Sequence, residues 1–171
     1  MGKHNKKPNQ QSHNKAVNNL SSQKTESPSQ NQTITRLDPR DFSKKAYEAL
    51  KSMAFEPKDD DYIDRKYHPR ASGLVQGISA YISTWGLHRL SGDAKKFLGG
   101  TSEDTKYKGK VYRKFLKSLK DLTSINFDVD NEGSLIHLHL RQYTALNRLA
   151  IQLAKEWSFW AASVLGEAKE E

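Results

Sequence analysis

Metal chemistry needs ligands that converge, and two groups of residues in this sequence invite the test. His137 and His139 stand two positions apart. On a helix they would point about 200° apart and could not share an ion. On a strand they would share a face, but no third ligand is close in sequence. Asp59, Asp60, Asp61 and Asp64 form an acidic cluster that could grip a hard cation such as Mg²⁺. Placed ahead of a helical pattern, the cluster reads more simply as N-terminal capping and dipole matching. Nucleophiles are equally sparse. There is no cysteine, hence no thiolate and no disulfide. No Gly-x-Ser-x-Gly elbow occurs, and no serine sits in a recognisable setting with His and Asp. Gly73 and Gly77 share a helical pattern, where they would permit close helix packing rather than cradle a phosphate. No catalytic residue, metal site or cofactor is therefore expected, and the chain does not read as an enzyme.

The chemistry that does stand out is electrostatic. The 171 residues carry 28 Lys and Arg against 20 Asp and Glu, a formal net charge of +8. Such a balance points to an acidic partner, nucleic acid first among them. Advancing about 100° per residue from Lys106 places Lys106, Lys110, Arg113, Lys117 and Lys120 within roughly 40° of one line, with Lys114 at its edge. Val111, Phe115 and Leu122 fall on the opposite side, so one face is expected to pack and the other to form a basic stripe. Solvated helix faces usually mix signs, because like charges at i and i+4 repel. A row of phosphates would relieve that repulsion. The preceding helical segment adds Arg89, Lys95 and Lys96. Leu87 to Lys120 holds ten Lys and Arg and three acids, a local net of 10 − 3 = +7. The expected phosphate-binding set is thus Arg89, Lys95, Lys96, Lys106, Lys110, Arg113, Lys114, Lys117 and Lys120. Only Tyr107 and Tyr112 accompany the stripe, which favours backbone contact over base stacking. Arg141, Arg148 and Lys155, at a spacing of seven, form a second and weaker basic line.

The elements that must position these residues are helical throughout. Asp38 is suited to an N-cap, Pro39 to the first helical position and Asp41 to the first turn. Phe42, Ala46, Ala49, Leu50 and Met53 then recur at helical spacing as far as about Phe55, and Pro57 closes the helix. From about Pro69, Leu74, Ile78, Ile82 and Trp85 mark one face of a second helix that stops at Gly86. Leu87, Leu90, Ala94 and Phe97 mark a third, ended by Gly99 and Gly100. The basic helix runs from about Thr105 to Leu122, with Val111, Phe115, Leu119 and Leu122 inward. Residues 126–133 read as an acidic turn. Tyr143, Leu146, Ala150, Leu153, Trp157, Trp160 and Val164 form a heptad-like seam on a last helix from about Leu135 to Leu165. Trp157 and Trp160 belong to that seam. Phe159 points elsewhere and is a candidate seat for a neighbouring subunit. Leu135 to Leu140 alternates with His137 and His139 as a strand would, but without a partner strand it reads as the start of the last helix. The fold class is all-α, a bundle of about five to six helices.

Residues 1–36 differ in composition. Asn, Gln, Ser and Lys dominate, with six Lys or Arg against one Glu. Such a segment buries too little apolar surface to offset its ordering entropy, so a disordered basic tail is expected, ahead of a bundle domain at 37–171. The tail is either a solubilising extension or an arm adding weak, salt-sensitive affinity for nucleic acid. No apolar signal-peptide core opens the chain, and no stretch approaches the roughly 20 apolar residues of a membrane span. A cytoplasmic protein is the expectation.

The order of these features resembles a known family, the small all-helical subunit of the type III-B (RAMP-module, Cmr) CRISPR RNA-guided effector complex. Three places carry the resemblance. A helix from about Ala71 leads into Trp85-Gly86-Leu87 and Leu90. The basic helix bears Tyr112 and Leu116. The closing helix runs from Tyr143-Thr144-Ala145-Leu146 through Leu149, Leu153, Trp157, Trp160 and Ala161. Together they span about Asp38 to Leu165. Trp85 stands where the family has Asn, and the N-terminal tail is longer. The resemblance implies a non-catalytic subunit that stacks with copies of itself along the filament, beside the other subunits of the complex. It would line the groove holding guide and target RNA without sequence readout. A helical adaptor using its basic face to bind an acidic protein is the alternative.

Overall fold

The computed structural model describes residues 38–169. The tail expected at 1–36 lies outside the described residues. The described residues belong to one compact unit, built from five α-helices: α1 Pro39–Phe55, α2 His68–Trp85, α3 Leu87–Leu98, α4 Glu103–Asp121 and α5 Leu140–Leu165. A 3-10 turn at Arg65–Tyr67 leads into α2. There is no strand among the described residues. The chain is an all-α helical bundle.

Local sequence explains the helix ends. Asp38 caps α1, its side chain accepting from the Arg40 N–H while Asp41 reaches back to the Asp38 N–H at 3.2 Å, and Pro39 fills the first turn. Between α2 and α3 the chain turns at Gly86 with φ 83° and ψ 157°, a conformation essentially reserved to glycine. A Cβ there would stand 2.6 Å from Tyr143 Oη and 2.9 Å from His88 Nδ1. These two side chains are themselves hydrogen-bonded at 2.8 Å, so the α2–α3 corner is clasped to the start of α5.

α5 is the central rod, packed along α1 and α2, while α3 packs on α4. α2 and α5 run antiparallel: Leu87 N–H donates to Asn147 Oδ1 at 3.1 Å near one end, and Lys169 N–H to Pro69 O at 3.3 Å near the other. The core contains Phe42, Leu50, Met53, Ile78, Ile82, Leu90, Phe115, Leu119, Leu153 and Trp157. Phe115 meets Trp157 edge-to-face at 5.3 Å.

Several sequence expectations change. The buried face of α2 is Ala71, Val75, Ile78 and Ile82, while Leu74 is half-buried and Trp85 is 55% exposed. α5 starts at Leu140 rather than Leu135. Residues 122–139 are a long connection of turns, pinned to the core by buried Phe127 and Leu135. Side chains hold those turns: Asp128 accepts from Asp130 N–H, and Asn131 from Gly133 N–H, each at 3.0 Å. The seam of α5 is Leu146, Ala150, Leu153, Ala154, Trp157, Ala161 and Leu165, with Tyr143, Trp160 and Val164 only half-buried at its shoulder. Close helix packing belongs not to Gly73 and Gly77 but to Gly109. A Cβ at Gly77 would meet nothing within 4 Å, whereas one at Gly109 would stand 2.8 Å from the Leu98 backbone N.

Candidate nucleic-acid interface

The basic stripe of α4 was expected to face outward, and the structure instead covers most of it. Lys110, Arg113, Lys114 and Lys117 sit at i, i+3, i+4 and i+7, so they share one side of the helix. Against that side lies the loop between α1 and the 3-10 turn. Arg113 Nε donates to Asp61 Oδ1 and Lys117 Nζ to Asp61 Oδ2, both at 2.7 Å. Arg113 Nη2 also reaches Asp60 O at 3.3 Å. Lys114 pairs with Asp59, and Lys110 Nζ donates to Tyr62 O at 2.8 Å. Four cations of one helix thus grip four successive residues of one loop. The like-charge repulsion that suggested phosphates is relieved by carboxylates of the same chain.

The loop cannot be read as a helix cap either. Only Asp64 caps, accepting from Lys66 N–H at the 3-10 turn. Asp61 is fully buried and Ile63 is buried in the core, where its N–H donates to Met53 O at 2.9 Å and its carbonyl contacts His68 Nε2 at 3.0 Å. Burial alone would raise the Asp59 carboxyl. Hydrogen bonds from Lys114, Ser52 Oγ and the Asp61 N–H, with the Lys114 charge, outweigh it and hold the group down at about 2. Asp59 and Asp61 are therefore committed to cations of α4. Among the described residues no group of three or more His, Cys, Asp or Glu could hold a metal ion.

The remaining candidate cations divide into two sets. Lys106 pairs with Glu103 at 2.5 Å, one turn away on the same helix. Arg89, Lys95, Lys96 and Lys120 are exposed, with Arg89 over the Trp85 ring at 5.4 Å. Lys95 and Arg113 border a shallow hollow of about 270 Å³ that also includes Asp130. Arg141, Arg148 and Lys155 are all exposed on the outer side of α5, and none of them makes an ion pair among the described residues. The line that is weaker in sequence is the one left exposed and without an ion pair among the described residues. Its signal was available: no acid lies on it, and Glu156, the one acid within α5, falls to its side.

Two tyrosines, Tyr112 buried and Tyr81 half-buried, show the contrast between packing and chemistry. Tyr81 Oη donates to Asp93 Oδ2 at 2.5 Å, and burial together with that carboxylate raises its phenol well above the usual range. Tyr112 is pushed up to about 12, chiefly by burial. Both stay protonated and hold α2, α3 and α4 together through ring contacts at 5.9 Å and 6.2 Å.

No family model matches this chain, and neither does any curated protein or any solved structure. No helix among the described residues is long and apolar enough to cross a membrane.

Proposed function

We propose that this chain is a non-catalytic, cytoplasmic subunit of an RNA-guided ribonucleoprotein of the type III-B CRISPR kind, contacting guide or target RNA through its backbone without reading sequence. The observation that carries this reading is the exposed line of Arg141, Arg148 and Lys155 on α5, which makes no ion pair among the described residues. Arg89, Lys95, Lys96 and Lys120 are further exposed cations, on α3 and α4. The order of the Gly86 corner, the tyrosine-bearing basic helix and the Tyr- and Trp-bearing closing helix supports the assignment to that class of complex.

Full-length protein purified from its source cell is expected to bring RNA and several other proteins with it. The triple substitution R141E/R148E/K155E should weaken RNA binding and reduce its salt dependence by about two in log–log slope, at ~0.7 per lost phosphate contact on a single strand. Undiminished affinity in the triple variant would refute the assignment of these residues. A second reading, an adaptor for an acidic protein, draws on the exposed Trp85, Ile136 and Leu140, at 55%, 61% and 79%. Ribonuclease treatment separates the two: co-purification with one acidic protein that survives it supports the adaptor.

A further inference from the structure

We infer that the outer face of α5 binds single-stranded nucleic acid, with a base stacked on Phe159 and phosphates on Arg141, Arg148 and Lys155. This rests on the RNA reading above and adds to it the strandedness of the ligand and an aromatic subsite. At about 100° per residue, the three cations and Phe159 fall within roughly 40° of one line, with Ala145 and Gln152 between them. The line spans about 27 Å, enough for about eight nucleotides at the stacked spacing of ~3.4 Å. Glu156 lies roughly 60° or more round the helix, on the side of Trp160.

Phe159 is 70% exposed but not isolated. Its ring meets Trp160 edge-to-face at 5.0 Å, and Trp160 meets Tyr47 of α1 at 5.1 Å. Trp160 Nε1 donates to Ser43 Oγ at 2.8 Å, which fixes the indole in place. The result is a three-ring surface built around a hydrogen-bonded indole, beside Lys44 and Lys51 on α1, both exposed, with Glu48 the acid nearest Tyr47 on that helix. Exposed aromatic rings next to a row of cations are what an unpaired strand needs: stacking tolerates any base, and cations follow the backbone. A duplex hides its base faces and would use only the cations. Charge complementarity along the line therefore commits the face to a nucleic-acid strand.

The test compares three labelled ligands on the full-length protein: oligouridylate, an abasic sugar–phosphate strand of equal length, and an RNA duplex. Phe159→Ala should weaken oligouridylate about 5- to 100-fold, leaving abasic-strand affinity and salt dependence unchanged. Phe159→Leu, which keeps apolar bulk against Trp160, should lose most of the same preference. R148E/K155E should weaken all three ligands. Equal loss for oligouridylate and the abasic strand on Phe159→Ala, wild-type affinity for the duplex equal to that for the single strand, or a Phe159→Ala effect on self-association alone would overturn the stacking subsite while sparing the RNA reading. Absence of binding to all three ligands by the wild-type chain would overturn both.

Discussion

Asp61 is a carboxylate with no exposed surface, and its two oxygens each meet a cation of α4. Removing one member of a buried ion pair is costly because the others stay desolvated. Arg113 and Lys117 keep 23% and 38% of their side-chain surface in solvent, which softens that cost. Asp61→Asn is accordingly expected to destabilise the fold by about 2 kcal/mol, measured by urea unfolding. A change below about 0.5 kcal/mol would mean that Ile63, the Lys114–Asp59 pair and the Lys110–Tyr62 contact hold the loop without the Asp61 pairs. Asp59 supplies a pH dependence. Its carboxyl is depressed to about 2 in the folded chain, so its contribution is fully present above the ordinary carboxylate value near 3.8 and is lost as pH falls toward 2. Acid unfolding over that window should therefore lose about 2 kcal/mol, and Asp59→Asn should flatten that part of the profile. An unchanged acid limb in Asp59→Asn would exclude the Asp59–Lys114 pair as its source. The same contacts change what charge reversal on α4 means. Glu at Lys110, Arg113, Lys117 and Lys120 looks in sequence like a probe of binding alone, but at the first three positions it strikes the loop that closes the fold.

At the scale of elements, the α2–α3 corner is the most constrained joint. Gly86→Ala forces a Cβ into a glycine-only conformation and against Tyr143 and His88. It should cost about 3 kcal/mol, since the backbone strain alone is worth 1–3. Gly92→Ala, inside α3 where a Cβ meets nothing within 4 Å, should instead stabilise by up to about 1 kcal/mol. Paired thermal melts check both, and equal effects at the two glycines would show that the corner relaxes. α1 was legible because its cap, its proline and all five predicted core positions depend on neighbours within a turn or two. α2 was less so. With apolar residues on several sides, its periodicity admitted more than one buried face, and packing against α5 chose Val75 over Leu74. The start of α5 was misplaced because Leu135 is buried from a turn, not from a helix, and the alternating Leu–His pattern does not distinguish the two.

For the whole molecule, the positive charge counted along the sequence is not the positive charge presented to a partner. The segment Leu87 to Lys120 carries a local net charge of +7, yet its central cations close the protein on itself. The segment with fewer cations, α5, leaves its line open and ends it at an exposed aromatic patch. Helix content, caps, the all-α class and the lack of recognisable catalytic motifs follow from the sequence alone, because each depends on residue types and spacings within a few positions. The fate of the α4 stripe was decided only in the folded chain. Asp61 and Arg113 are 52 residues apart, and periodicity along one helix carries no information about which distant loop will lie across it. The same holds for Phe159, Trp160 and Tyr47, whose patch exists only once α1 and α5 are side by side.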